Sequence, residues 1–205
     1  LTAMQMVWGQ VSDQVKESAK LLSLVNKALW LAPHDPVVLG YCGYGAIWAG
    51  QVGQAIGCLE RSLAINPNSS FSRLHYGAAL YTDARAEEAI TQLELFLRQS
   101  PKDPYVGVAY FFLSRCYLLL DPHKAEDAAR NTIKHSPSFA WGYVTLAMSL
   151  AALGRGAEAQ KHVQKVLQLE PGFTRQRVED YWRGVLREQE QSDKMIALAQ
   201  LAWTD

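Results

Sequence analysis

Five histidines and three cysteines are the side chains of this 205-residue chain best suited to hold a metal or act as nucleophiles, and their spacing opposes both roles. Cys42, Cys58 and Cys116 are odd in number, far apart and without a C-x-x-C pair, which excludes a disulfide framework and a zinc site. They read as small buried apolar residues in a reducing, cytoplasmic compartment. His34, His123 and His135 fall in or beside turns between helices. His75 and His162 fall inside helices, with no second histidine or cysteine at ligand spacing. All five read as solvated or hydrogen-bonded surface histidines. The run GYCGYG at 40–45 has the glycine density of a phosphate loop, but it lies within a helical pattern and no strand precedes it. No G-x-S-x-G, Cys/His couple or P-loop occurs. The expectation is a non-catalytic chain with no catalytic residues, no metal site and no cofactor.

Charge narrows the partners. Twenty basic and twenty acidic side chains give a net charge of zero, whereas a general nucleic-acid binder needs a basic excess to release counterions. Arg175, Arg177, Arg183 and Arg187 crowd the tail, but Glu179, Asp180 and Glu188 lie among them. That mixture reads as a solvated, salt-bridged face and not as an anion site. Val37 to Leu59 carries no charge and has the length of a membrane span. Gln51-Val52-Gly53-Gln54 interrupts it as a turn, so it reads as two helices, with no membrane contact. The chain begins at Leu1 with no charged segment or cleavage pattern, and reads as a piece of a longer protein.

The elements that would position any site repeat. Pro33, Pro67, Pro101, Pro137 and Pro171 are spaced 34, 34, 36 and 34 residues apart, and an alanine precedes each of the last four by twelve residues: Ala55, Ala89, Ala125 and Ala159. A fixed period of 34 signals stacked helix–turn–helix pairs. The spacing predicts helices over about 36–50 and 54–66, 70–82 and 86–99, and 139–153 and 157–170. Asp35 and Asp103, each followed by proline, are placed as N-caps. The intra-pair turns AGQVG, TDAR and LGRGA are small or polar. Gly43 and Gly77 lie inside first helices, where glycine costs about 1 kcal/mol against alanine. They fit a close approach of the second helix, with Ala55 and Ala89 as the small partners.

On these residues the chain resembles the tetratricopeptide repeat. The second repeat supplies Cys42, Gly43, Ala46, Ala55, Leu59, Ser62 and Pro67. The third supplies Tyr76, Gly77, Leu80, Ala89, Leu93, Phe96 and Pro101, and the fifth Leu146, Ala147, Leu150, Ala159, Val163, Val166 and Pro171. The fourth departs by two extra residues, a long first helix and DPHK in place of the glycine turn. The first matches only at Gly9, Ala28 and Pro33. The resemblance implies an all-α, right-handed superhelical solenoid of about five repeats over 1–173 (1–35, 36–69, 70–103, 104–139 and 140–173). Residues 174–205 would form C-terminal capping helices, with Tyr181, Trp182, Val185 and Leu186 as the apolar stripe that covers the open end of the last repeat. LAPHDP, AINPNS, the run from Ser136 to Thr174 and the ending KMIALAQLAWTD are similar to a narrower group. These are the C-terminal repeat regions of bacterial regulators headed by a class III adenylate cyclase domain or a winged-helix DNA-binding domain. None of the catalytic or DNA-reading residues of those domains is present.

In such arrays the first helix of each pair, here the A helix, lines the concave face. The positions that face the groove are Tyr44, Ile47 and Trp48, then Phe71, Leu74, Ala78 and Tyr81, then Phe111, Arg115 and Leu118, then Trp141, Val144 and Met148. Aromatic residues and methionine at this density suit a protein or peptide segment held in the groove. A contiguous apolar stripe is expected to be covered, by a partner, by a second copy in a homodimer, or by the chain's own C-terminal segment. Lys and Asn at these places would clamp a carboxylate terminus; Gly40, Tyr44, Leu74 and Ala78 stand there instead.

Overall fold

The computed structural model describes residues 14–203, which contain eleven α-helices and no strand. The helices are α1 (Gln14–Leu31), α2 (Pro36–Trp48), α3 (Val52–Ile65), α4 (Ser70–Thr82), α5 (Ala86–Gln99) and α6 (Val106–Leu120), followed by α7 (Pro122–His135), α8 (Ala140–Ala152), α9 (Gly156–Leu169), α10 (Arg175–Val185) and α11 (Gln189–Ala202). This is the helix–turn–helix succession that the 34-residue period predicts. The first part of the expected first repeat, with Gly9, lies outside the described residues. The chain divides into two compact units, 1–80 and 81–205, and the boundary falls in the last turn of α4.

Local chemistry fixes the helix ends. Asp35 accepts from the Val37 and Val38 amides at 2.8 and 3.0 Å, with Pro36 opening α2. Asp121 does the same for α7 through the His123 and Lys124 amides, with Pro122 in the first turn. Asp103 departs from expectation. It accepts from the Tyr105 amide and closes a turn, and α6 begins two residues beyond Pro104, at Val106. Gly50 and Gly154 turn the chain between paired helices at positive φ, 73° and 72°. In the TDAR turn Ala84 takes that conformation, with φ 66°.

In the first unit α1 packs on α2 and α2 on α3, around Val25, Cys42 and Cys58. A Cβ at Gly43 would overlap the Leu59 side chain, so the close approach is to Leu59, one turn along α3 from Ala55. Ser62 Oγ donates to the Pro36 carbonyl and lies 2.7 Å from Ser72 Oγ, which ties α3 to α4.

In the second unit α5 packs on α6, α6 on α7, α7 on α8 and α8 on α9. Glu126 of α7 accepts from Arg130 and from Arg155 at the start of α9. The tail helices pack on each other, and α11 also lies against α8, α6 and α9. Eleven of the thirteen residues of α8 are buried, the mark of a helix covered on every side.

Candidate partner-binding surface

The predicted groove residues divide between the units and meet different surroundings. In the first unit, Tyr44, Ile47 and Trp48 of α2 and Phe71 of α4 are half-buried, while Leu74 is wholly buried. Helical spacing puts Tyr41, Tyr44 and Trp48 on one side of α2. Phe71 and His75, one turn apart on α4, meet them. Tyr41 lies 4.5 Å from Phe71 between ring centroids, Tyr44 lies 4.5 Å from His75, and Phe71 lies 4.3 Å from His75. Tyr44 also meets Trp48 and Phe71 edge-on at about 6 Å. Tyr41, absent from the sequence-based set, is 60% exposed and Val37 beside it 62%. The five rings therefore form an aromatic surface with an open edge.

His75 corrects the reading of the histidines as solvated. It is buried, and burial pushes its imidazole down to about 3. The sequence signal was available in Phe71-x-x-x-His75, an aromatic pair at one-turn spacing, but which face of α4 is covered depends on α2. Burial likewise raises the Cys42 thiol to about 11 and pushes Cys58 and Cys116 up, so none of the three is poised as a nucleophile.

In the second unit the corresponding face is occupied. Tyr81, Phe111, Arg115, Trp141, Val144 and Met148 are all buried, as are Ala78 of the first unit and Leu118. Trp141 of α8 meets Tyr181 of α10 at 4.7 Å and Phe173 at 5.3 Å. Arg115 of α6 is 1% exposed. Its guanidinium carbon lies 3.8 Å from the Phe111 ring centroid, 4.6 Å from Tyr181 and 4.7 Å from Trp182, and Arg115 Nη1 donates to the Tyr181 hydroxyl. The buried stripe of α11 is Ser192, Met195, Ile196, Ala199 and Ala202, and Ser192 Oγ donates to the Trp182 carbonyl. Exposed contacts from Lys194 to the Leu119 carbonyl and from Arg187 to Asp83, and a part-buried one from Gln191 to the Ala84 carbonyl, fasten the rim. The other tail arginines pair with acids, Arg175 and Arg183 with Glu179 and Arg177 with Glu170.

Enclosed chemistry is sparse among the described residues. An open cleft of about 360 Å³ lies between the start of α5, the end of α6 and the start of α11. Its charges are mixed, and Arg85 and Lys194 are already engaged by Glu88 and the Leu119 carbonyl. No group of histidine, cysteine and carboxylate residues that could hold a metal is found among the described residues. No described helix is long and apolar enough to cross a membrane; the uncharged run from Val37 to Leu59 is broken between α2 and α3.

No family model matches the chain. Solved structures match it well. PilW, described as a widely conserved type IV pilus biogenesis factor, superposes with a TM-score of 0.69 at 19% identity, over 98% of this chain and 86% of PilW. MamA from Desulfovibrio magneticus RS-1 gives 0.64 at 20% identity, over 76% of this chain and 86% of MamA. YrrB, described as a TPR protein with an unusual peptide-binding site, gives 0.59 at 18% identity, over 87% and 95%. At this identity the likeness establishes the fold: the chain is an all-α array of helix–turn–helix repeats of the tetratricopeptide type.

Proposed function

We propose that the chain is a non-catalytic protein-interaction module, and that the aromatic face of α2 and α4 in the first unit takes an apolar or aromatic segment of a protein partner. The open edge of that face carries the reading. Tyr41 is packed against Phe71 and largely exposed, with Tyr44 and Trp48 half-buried beside it, whereas the matching face of the second unit lies under α10 and α11. Aromatic side chains supply much of the binding energy at such surfaces. The peptide-binding site of YrrB, on the same fold, is in keeping with this reading.

Selection of a random dodecapeptide library on the immobilised chain tests it. Peptides rich in aromatic and aliphatic residues should be enriched, and Tyr41→Ala with Trp48→Ala should weaken their binding at least tenfold while the circular dichroism spectrum is kept. Selected peptides that bind the double variant as tightly as the parent would remove the assignment. Tyr81 is unsuited to this test, because it is fully buried and its truncation reads folding.

The motifs shared with the repeat regions of cyclase-headed and winged-helix regulators support a finer reading, that the module is the regulatory arm of a bacterial signalling protein in the cytoplasm. The likeness to the pilus biogenesis factor PilW favours a second, a scaffold within a multiprotein assembly. The reading frame upstream of Leu1 separates them: a cyclase or winged-helix domain there supports the first, and an export signal the second.

A further inference from the structure

The contact between the tail helices and the rest of the second unit is imperfect in a specific way. Arg115 is buried and charged, yet among the described residues no carboxylate lies within ion-pairing distance of it, and its Nε has no hydrogen-bond partner. Buried cations are ordinarily paired with an anion. The aromatic faces of Phe111, Tyr181 and Trp182 offset part of the desolvation, and the Tyr181 hydroxyl supplies one neutral acceptor. The Tyr81 hydroxyl and Trp182 Nε1 are also buried without hydrogen-bond partners, and unmade bonds of this kind weaken whatever contact encloses them. The acids of α10 do not help, since Arg175 and Arg183 engage Glu179, and Arg183 engages Asp180.

The shape of the contact, in contrast, is that of a bound helix. Val178, Tyr181 and Trp182 of α10 follow the i, i+3, i+4 spacing with which an amphipathic helix lies in a groove, and Ser192, Met195, Ile196 and Ala199 of α11 repeat it. Two of the polar fastenings at the rim, Arg187 to Asp83 and Lys194 to the Leu119 carbonyl, are exposed and correspondingly weak; the third, Gln191 to the Ala84 carbonyl, is part-buried.

We propose that α10 and α11 are an exchangeable occupant of the α6–α8 face, and that the partner which replaces them is an amphipathic helical segment of a protein carrying a carboxylate where Tyr181 now meets Arg115. A carboxylate forms a charge-assisted, two-point pair with a guanidinium that a phenol cannot match. The rest of the segment needs only the apolar spacing that the tail already shows. The proposal takes from the interaction reading only that A-helix faces accept protein segments. Its test involves the second unit alone, so a failure of peptide binding at Tyr41 and Trp48 leaves it standing, and the reverse holds too.

Two fluorescent peptides spanning residues 174–203, one native and one with Tyr181→Glu, are titrated into the full chain. The glutamate peptide should bind at least tenfold more tightly than the native one, and the difference should vanish on a chain carrying Arg115→Gln. Equal affinities, or no binding by either peptide at millimolar concentration, would overturn the proposal. A second measurement does not depend on that variant folding. Placed in the chain itself, Tyr181→Glu should raise the melting temperature by about 4 °C or more and exclude both peptides. A fall in melting temperature would overturn the proposal equally.

Discussion

His75 shows how a single side chain can report on the packing around it. Enclosed by Tyr44 and Phe71, its imidazole is held neutral down to about 3, against 6.5 when solvated. The unfolded chain takes up this proton as the pH falls below 6.5, and the folded chain does not. The site's contribution is therefore complete at neutral pH and is lost progressively as the pH falls from 6.5 towards 3, by about 2 kcal/mol at pH 5. Urea unfolding at pH 7.5 and pH 5 should show this loss in the parent and a smaller one in His75→Gln; equal losses would place the pH dependence elsewhere. The thiols give a second test at this scale. Cys42, Cys58 and Cys116 are buried with raised pKa values, so the native chain should resist a thiol-specific alkylating reagent at pH 7.5 and react only on unfolding. Their burial was readable from the sequence because cysteine in a helical apolar pattern behaves as a small hydrophobe. His75 was not, because a histidine in a helix is buried or solvated according to its neighbour across the groove.

At the scale of the element, the turns carry the clearest prediction. Gly50 and Gly154 occupy the left-handed conformation with open space around them, so substitution there is felt by the backbone alone. Gly154→Ala should cost about 1–2 kcal/mol. Ala84→Gly should stabilise the chain by about 0.5–1 kcal/mol, because alanine already bears that strain and part of the gain is offset by the greater freedom of glycine in the unfolded chain. Thermal unfolding of the two variants should move in opposite directions; a destabilised Ala84→Gly would show that the turn needs its methyl group. Helix positions followed from the 34-residue period and the apolar spacing to within a residue or two. The fourth repeat did not follow as closely. Asp103 looks like Asp35 in sequence, but Pro104 and Tyr105 are taken into a turn before α6 begins.

At the scale of the whole molecule, two faces built from the same kind of helix have different fates. The sequences of α2 and α8 are both apolar nearly throughout, so a stripe needing cover was readable in each. Which one the chain covers itself was not. The tail shows an amphipathic pattern that states which side is buried and leaves the receiving surface open. The tail is expected to cover the open end of the last repeat, here α8 and α9; α11 lies against both and also reaches α6 of the repeat before it. The two faces contrast: that of the second unit is closed by its own chain, whereas the aromatic face of the first has an exposed edge at Tyr41, the edge proposed to take a partner. Hydroxyl-radical footprinting of the native full chain, read residue by residue by mass spectrometry, tests this contrast most directly. Tyr41 should be oxidised at least several-fold faster than Trp141, Met148, Trp182 and Met195, and a selected peptide should protect residues of the α2–α4 aromatic face, Tyr41 and Trp48 foremost, and not those of the second unit. Oxidation of Trp141 and Met148 as fast as Tyr41 would show that the tail leaves the second face open, and would contradict the account.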